Sequence, residues 1–456
     1  MPVVPVLGAR RSRSGSEREP GGSEEPPRPA RRTTAITGRS ARADSRPAGR
    51  QREEGMRHLV AATLVVSVCA LAAGAEPITI GETVKIQSKV LGEERTILVS
   101  TPPNYAQSQE RYPVLYMTDG DAHLTHTRGT VDFLARNGLM PNLIIVGVAN
   151  TDRTRDLSPT RWARPAPDGG QAQAPIGGGA GAFLEFFAKE LFPYVEGHYR
   201  TAPYRIFAGH SLGGLLALDA VVARPEMFNA VIAASPALNW DNDFILRATA
   251  DFFRDRKDLP VTLFVTMADE ERDEPAPTRF DRLRGTLAAA KAAGFVRDSM
   301  SMPEETHGTV VLRSHYWGLR KVFAGWQFPA DPRTHAFAGT LDDLKAHYAT
   351  LSTRFGYALV PAEVTTNLLG YQALGRNDVE GALAFFRYNV ELYPGSANTY
   401  DSLAEALGRA GRTDESLANY ERAVARARET GDRLLDRLVA NRDRAVAAAK
   451  AKAPKS

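Results

Sequence analysis

Residues 204–218, Tyr-Arg-Ile-Phe-Ala-Gly-His-Ser-Leu-Gly-Gly-Leu-Leu-Ala-Leu, set a β-branched and aromatic run, a glycine-flanked serine and an apolar helical pattern in direct succession. Arg205 to Ala208 reads as strand, and Leu215, Leu216, Leu218, Val221 and Val222 recur at helical spacing. A chain passes from strand to helix through so short a turn only where small neighbours let it bend. Gly209, Ser211 and Gly213 supply that G-x-S-x-G spacing, which holds a serine hydroxyl out above the strand end. Gly213 and Gly214 let the helix pack close. The stretch therefore demands a strand-turn-helix unit, the element from which parallel sheets with helical faces are built.

The flanking sequence repeats this order from Pro77 to about Phe328. Ile78 to Val90 and Arg95 to Thr101 read as paired opening strands with Gly92-Glu93 near their turn. Pro113 to Thr118, Leu143 to Ala149, Ala230 to Ala234, Val261 to Met267 and Phe295 to Met300 are short apolar runs of the kind found in central, doubly covered strands. Helical patterns fall at Val131 to Arg136, Phe183 to Val195, Arg282 to Ala293 and about Val310 to Trp326. The expected class is α/β, with a doubly wound, mostly parallel sheet. Such sheets carry their chemistry in the loops at the carboxyl ends of the strands.

Polar residues gather in those loops. Thr118-Asp-Gly-Asp-Ala-His123 follows one strand, Ala268-Asp-Glu-Glu271 another, and Pro303-Glu-Glu-Thr-His-Gly-Thr309 precedes the last helix of the unit. Serine, acid and histidine thus occur in the chain order of α/β-hydrolases. A serine hydroxyl becomes nucleophilic when an imidazole takes its proton, and a carboxylate fixes the tautomer of that imidazole and stabilises the imidazolium. Ser211, His307 and a carboxylate fit these roles. The backbone N–H of Leu212 is expected to stabilise the oxyanion with a second N–H from Asp121 or Ala122, Asp121 being taken first.

Several motifs now stand in order: Tyr116-Met-Thr-Asp-Gly-Asp121, Asn150-Thr-Asp-Arg-Thr-Arg-Asp-Leu-Ser-Pro159, Gly209-His-Ser-Leu-Gly-Gly214, Ser235-Pro-Ala-Leu-Asn-Trp240 and Glu305-Thr-His-Gly308. Together they resemble the esterase family of α/β-hydrolases that includes siderophore esterases, the esterase D group and the mycolyltransferases. The resemblance covers about residues 77–328 and implies attack on an ester carbonyl. It makes Ser211 the nucleophile and His307 the base. Some siderophore esterases work with a serine and histidine pair, so the acid transfers less directly; Glu270 is taken, with Asp269 and Glu271 as alternatives.

Other residues near these motifs have plainer readings. His210 either packs behind the serine or borders the substrate pocket, and Trp240 is a core ring or a pocket wall. His123 and His126 resemble a metal pair only in type, since no HExxH spacing accompanies them, so a solvated or pocket-rim position is expected and no metal or cofactor. Arg153 and Arg155 lead into a Gly/Pro/Ala-rich stretch, Pro165 to Gly181, expected to be a mobile loop near the pocket. Its arginines are either solvated or receive an acidic substrate.

Charge and hydropathy shape the N-terminus. The chain of 456 residues carries a net charge of +4, and residues 1–55 are dense in arginine with few large apolar side chains. Such a segment cannot offset its ordering entropy and is expected to be disordered, with no nucleic-acid role. Met56-Arg-His58 precedes an apolar run, Leu59 to Leu71, and an Ala73-Gly-Ala75 cleavage signal. Residues 56–75 therefore read as a signal peptide, with translation starting at Met56 and 1–55 not made. The alternative is a membrane anchor, for which the run is short of the ~20 residues a bilayer needs. The one cysteine, Cys69, lies in this segment, so the mature chain would have neither disulfide nor integral membrane span. A periplasmic or secreted location follows.

Beyond Pro329-Ala-Asp-Pro332 strand signals stop. Leu369 with Leu403, Ala382 with Ser416, Leu383 with Leu417, Phe386 with Tyr420 and Val390 with Val424 align at a spacing of 34 residues. That period, with Pro394 closing one unit and Gly411-Arg412 in the turn of the next, resembles tetratricopeptide repeats. A helical domain over 333–450, with flanking helices at 341–359 and 432–450, is expected, either as a surface for a protein partner or as a brace. Three functions remain in view: a serine esterase acting on a small-molecule or lipid-like ester or thioester, an acyltransferase using the same acyl-enzyme, and a non-catalytic scaffold.

Overall fold

Four of the five apolar runs become the middle of one sheet; the fifth, Phe295 to Met300, ends the sheet as a partly exposed edge strand, since polar Arg297, Asp298, Ser299 and Ser301 interrupt it. A computed structural model describes residues 78–452, apart from 104, 166–170, 332, 335 and 338. The arginine-rich segment 1–55 and residues 56–75, expected to be a signal peptide, lie outside the described residues. Strands β1 (Glu82–Gln87), β2 (Glu94–Ser100), β3 (Tyr112–Met117) and β4 (Ile144–Val148) precede a two-stranded ribbon of β5 (Arg161–Trp162) and β6 (Ile176–Gly177). They are followed by β7 (Thr201–His210), β8 (Ala230–Ala234), β9 (Thr262–Ala268) and β10 (Val296–Met302). The eight-stranded sheet runs β1-β2-β4-β3-β7-β8-β9-β10. Pairing is antiparallel from β1 to β4 and parallel from there to β10. Every residue of β3, β4, β8 and β9 is buried, because helices cover both faces.

Successive residues of β3 point to opposite faces, Val114 and Tyr116 into one core and Leu115 and Met117 into the other. The first face is covered by helices from 153 to 289. These are α2 (Arg153–Leu157), α3 (Ala180–Phe186), α4 (Phe192–His198), α5 (Leu212–Ala223), α6 (Phe244–Arg254) and α7 (Arg279–Ala289). The second face is covered by α1 (Gly120–Arg136) and α8 (Val310–Val322).

Several bounds differ from the sequence reading for identifiable reasons. Helix α1 begins eleven residues before Val131, because its inward side carries Thr127, Arg128 and Thr130 between Leu124 and Val131 and so hides the apolar period. The helix expected over Phe183–Val195 runs from Ala180 to His198 through a π-helical turn at Phe187–Leu191. Only Glu82–Gln87 of the long opening segment pairs, as an edge strand.

Helices continue to the end: α9 (Leu341–Phe355), α10 (Glu363–Gly375), α11 (Val379–Leu392), α12 (Ala397–Arg409), α13 (Thr413–Thr430) and α14 (Leu435–Lys452). Most positions that recur at the 34-residue spacing are buried, among them Leu369, Leu403, Ala382, Ser416, Phe386 and Tyr420, while Val390 and Leu417 are half-buried. The first of these helices joins the α/β core. Phe355 lies 4.9 Å edge-on from Tyr204 and 5.3 Å stacked on Phe323. No helix among the described residues is long and apolar enough to cross a membrane.

Candidate active site

The turn between β7 and α5 is held by four constraints. Ser211 adopts φ 60° and ψ −116°, a conformation that side chains rarely take and that marks strain. Its N–H donates to the Ala234 carbonyl at 3.0 Å, and its own carbonyl accepts from Leu215 at 2.9 Å and Ala237 at 3.0 Å. Gly209 permits the bend, for a Cβ there would stand 2.0 Å from the Gly213 carbonyl oxygen. A Cβ on Gly213 would stand 2.2 Å from Thr118 Oγ1, so the loop after β3 abuts the first turn of α5.

Backbone N–H groups in this loop and turn differ in whether they are already bonded. Ala122 spends its N–H on the Asp119 carbonyl at 3.0 Å. Neither Asp121 nor Leu212 donates to a backbone acceptor among the described residues. Asp119 makes the turn possible in a left-handed conformation with φ 54°.

On the opposite side of the cleft, Glu270 Oε1 lies 2.8 Å from His307 Nδ1. Burial raises the Glu270 pKa, but its bonds to His307 and Ser235 outweigh this and hold the carboxyl below its ordinary value. The two adjacent carboxylates turn elsewhere. Asp269 pairs with Arg272, and Glu271 accepts the Phe280 N–H at 3.0 Å at the start of α7. Ser235, fully buried, accepts the Ala268 N–H at 2.9 Å and so ties the acid loop to the end of β8.

Ser211, Leu212, Glu270 and His307 line one cavity of about 580 Å³, together with Arg153, Trp162, Arg164, Ala237, Asn239 and Trp240. Among the described residues the Ser211 hydroxyl makes no hydrogen bond to the His307 ring, a looseness common before substrate binds. Trp240 is both core ring and wall: it is 1% exposed, its indole N–H donates to the Thr160 carbonyl at 3.2 Å, and Trp162 meets it edge-on at 5.2 Å. Arg164 lies over both rings, 5.5 Å from Trp162 and 5.8 Å from Trp240. Of the stretch Pro165–Gly181, residues 166–170 lie outside the described set, while Ile176–Gly177 is fixed against Arg161–Trp162 in the ribbon.

The arginines of the 150s are ion-paired, not free in solvent. Arg153 Nε donates to Asp119 Oδ1 at 2.6 Å and its Nη2 to the His210 carbonyl at 3.1 Å. Burial would raise the Asp119 pKa, yet Arg153 and then Asn150 hold it below its usual value. Arg155 bonds Asp156 at 2.7 Å and Glu93 at 2.6 Å, while the buried Arg95 reaches Asp156 at 2.6 Å. This network anchors α2 beside β2. No sequence signal separates these pairs from ordinary surface charge, because most of the partners are brought together from distant segments.

The histidines form a group behind the site. His123 lies 5.2 Å from His126, 5.7 Å from His210 and 6.3 Å from His315, ring to ring. His123 and His126 are partly buried against α8, not solvated, and burial pushes both below the usual histidine range. His315 is buried and its Nδ1 lies 2.9 Å from Thr127 Oγ1. His210 turns away from the cavity toward the His307 loop. Among the described residues, no group of three or more His, Cys, Asp or Glu is arranged to hold a metal ion.

Residues 88–273 match the family described as "Putative esterase". A siderophore triacetylfusarinine C esterase of Aspergillus fumigatus is 31% identical over 276 residues, 52% of this chain and 91% of that protein. The chain belongs to this esterase family. A ferri-bacillibactin esterase of Bacillus subtilis is 31% identical over 191 residues, which span 38% of this chain and 63% of that relative. The esterase also resembles the crystal structure of an IroE-like serine hydrolase from Shewanella oneidensis, with TM-score 0.58 and 26% identity over 68% of this chain and 99% of that one. The large, mostly parallel sheet is thus the α/β-hydrolase sheet.

Proposed function

We propose that this esterase is an exported serine hydrolase that cleaves a carboxylic ester through an acyl-enzyme on Ser211. One observation carries the reading: an imidazole paired through Nδ1 with Glu270 at 2.8 Å opens onto the same cavity as a serine on a strained strand-to-helix turn. Pairing at Nδ1 leaves Nε2 of neutral His307 as the base. It takes the Ser211 proton as the oxygen attacks the ester carbonyl, and the N–H groups of Leu212 and Asp121 stabilise the oxyanion. The imidazolium returns the proton to the departing alcohol, and water then repeats the sequence in reverse on the acyl-enzyme.

The relatives named for siderophore esters favour a substrate of that class, and the Arg164-Trp162-Trp240 wall suits a flat, electron-rich group. Transfer of the acyl group to an alcohol instead of water uses the same residues, and product analysis separates the two. Export rests on the Met56–Ala75 pattern, and the two-unit tetratricopeptide organisation of the helices on their 34-residue spacing and burial.

The test is labelling by a fluorophosphonate probe with hydrolysis of p-nitrophenyl and siderophore esters. Ser211→Ala is expected to abolish labelling and lower kcat by about 10³-fold or more, with the melting temperature kept within a few degrees. Retained turnover removes the serine from the mechanism.

A further inference from the structure

We infer that His210 is a positioning residue whose ring ties the loop carrying His307 to the turn carrying Ser211. The inference rests on the proposed roles of those two residues. The His210 Nε2 lies 2.7 Å from the backbone carbonyl oxygen of His307, a bond that spans 97 positions of sequence. The two rings stand 4.5 Å apart at an angle of 43°. A carbonyl only accepts, so Nε2 must carry the proton and the neutral ring is fixed in one tautomer.

The residue is held at both ends. Its carbonyl accepts from Arg153, which in turn clamps Asp119 at the start of the loop that bears Asp121. One chain of bonds thus runs from the oxyanion loop through Arg153 and the backbone of His210 to the base. Glu270 holds the ring of His307 at Nδ1 and this bond holds its backbone, while the other anchors of the base loop fall on neighbouring residues. Asp269 donates its N–H to the Glu305 carbonyl at 3.1 Å, and Thr309 donates to Thr306 at 3.1 Å.

Neutrality matters as much as distance. Facing the His210 ring are His307 from the base loop, Glu270 from the loop after β9, His123 from α1, His315 from α8, and the charges of Asp119 and Arg153. Burial first, and then the neighbouring His307 and His123, push His210 down to about 4. A cationic ring 4.5 Å away would oppose the imidazolium that His307 must become, whereas a neutral one donates its hydrogen bond without that cost.

The test uses the full chain with His210→Ala and His210→Gln, the latter keeping an N–H donor of similar reach. Against p-nitrophenyl butyrate, His210→Ala is expected to lose about 10- to 100-fold in kcat with KM within twofold, and His210→Gln to recover most of the loss. Wild-type kcat in His210→Ala, or equal impairment in a folded His210→Gln, overturns the inference. A second readout does not depend on esterase activity. Nitrogen-15 histidine spectra, assigned by the resonance missing from His210→Gln, should show His210 as the Nε2–H tautomer, uncharged from pH 8 to pH 5. A ring that titrates near 6.5, or carries its proton on Nδ1, refutes the tie even if Ser211 labels. Absence of both labelling and hydrolysis in the wild type with the Nε2–H signal intact removes the esterase reading and leaves the bond between the loops standing.

Discussion

Three adjacent carboxylates, Asp269, Glu270 and Glu271, send their side chains in three directions. Glu270 faces His307, Asp269 faces Arg272, and Glu271 caps α7 through the Phe280 N–H. Glu270→Gln is therefore expected to lower kcat by about 100-fold or more, because the amide can present a donor to Nδ1 and stabilise the wrong tautomer. Asp269→Asn and Glu271→Gln should stay within about threefold, with Glu271→Gln showing its effect in melting temperature instead. Steady-state kinetics on the three variants checks the order, and a larger loss at Asp269 or Glu271 moves the acid. Ser211 and His307 were legible as candidates because motif and chain order mark them. The choice among the three carboxylates was not, since neighbouring residues of one type leave no trace in sequence of where a loop will aim them. Arg153 and Asp119 escaped for a similar reason, being 34 positions apart and joined only by the fold.

At the level of elements, the contact between α5 and the loop after β3 has no slack. Gly213→Ala places a methyl group 2.2 Å from Thr118 Oγ1 and must displace the donor loop, so activity should fall by more than about tenfold along with several degrees of melting temperature. The interface of α1 and α8 makes a separate prediction about acid. His315, buried among His123, His126 and His210, is lowered well below 6.5 by burial and then by those neighbours. Its unfolded form takes up a proton as pH falls through about 6.5 and its folded form does not, so stability declines from there downward. Melting temperatures measured from pH 7.5 to pH 5 should drop on the acid side, and His315→Met should flatten that slope; an unchanged slope would exclude His315 as its source. Elements with dense apolar runs, such as β8 and α5, were readable. The first half of α1 was not, because buried polar residues occupy its inner face, and α2 and the β5–β6 ribbon are too short to show any period.

At the scale of the molecule, the first helix after Phe328 is part of the α/β core, since Leu351 and Phe355 of α9 join Tyr204 and Phe323 in one cluster, while the helices after it form clusters of their own. Phe355→Ala should cost about 3 kcal/mol or more in denaturant unfolding, and a chain cut after Phe328 should be markedly less soluble than the full one. Equal solubility and melting temperature for the shorter chain would show that the helices only accompany the hydrolase. Tyr204 lies on β7, the strand that ends at His210 just before Ser211. The left-handed backbone at Ser211 has a further meaning for the protein as a whole. Glycine meets that conformation without a side chain to oppose it, so Ser211→Gly should melt at or above the wild-type temperature despite being inert. The side chain that would make this protein an enzyme is then a burden its architecture carries, and a substrate trap for crystallography is better made with glycine than with alanine.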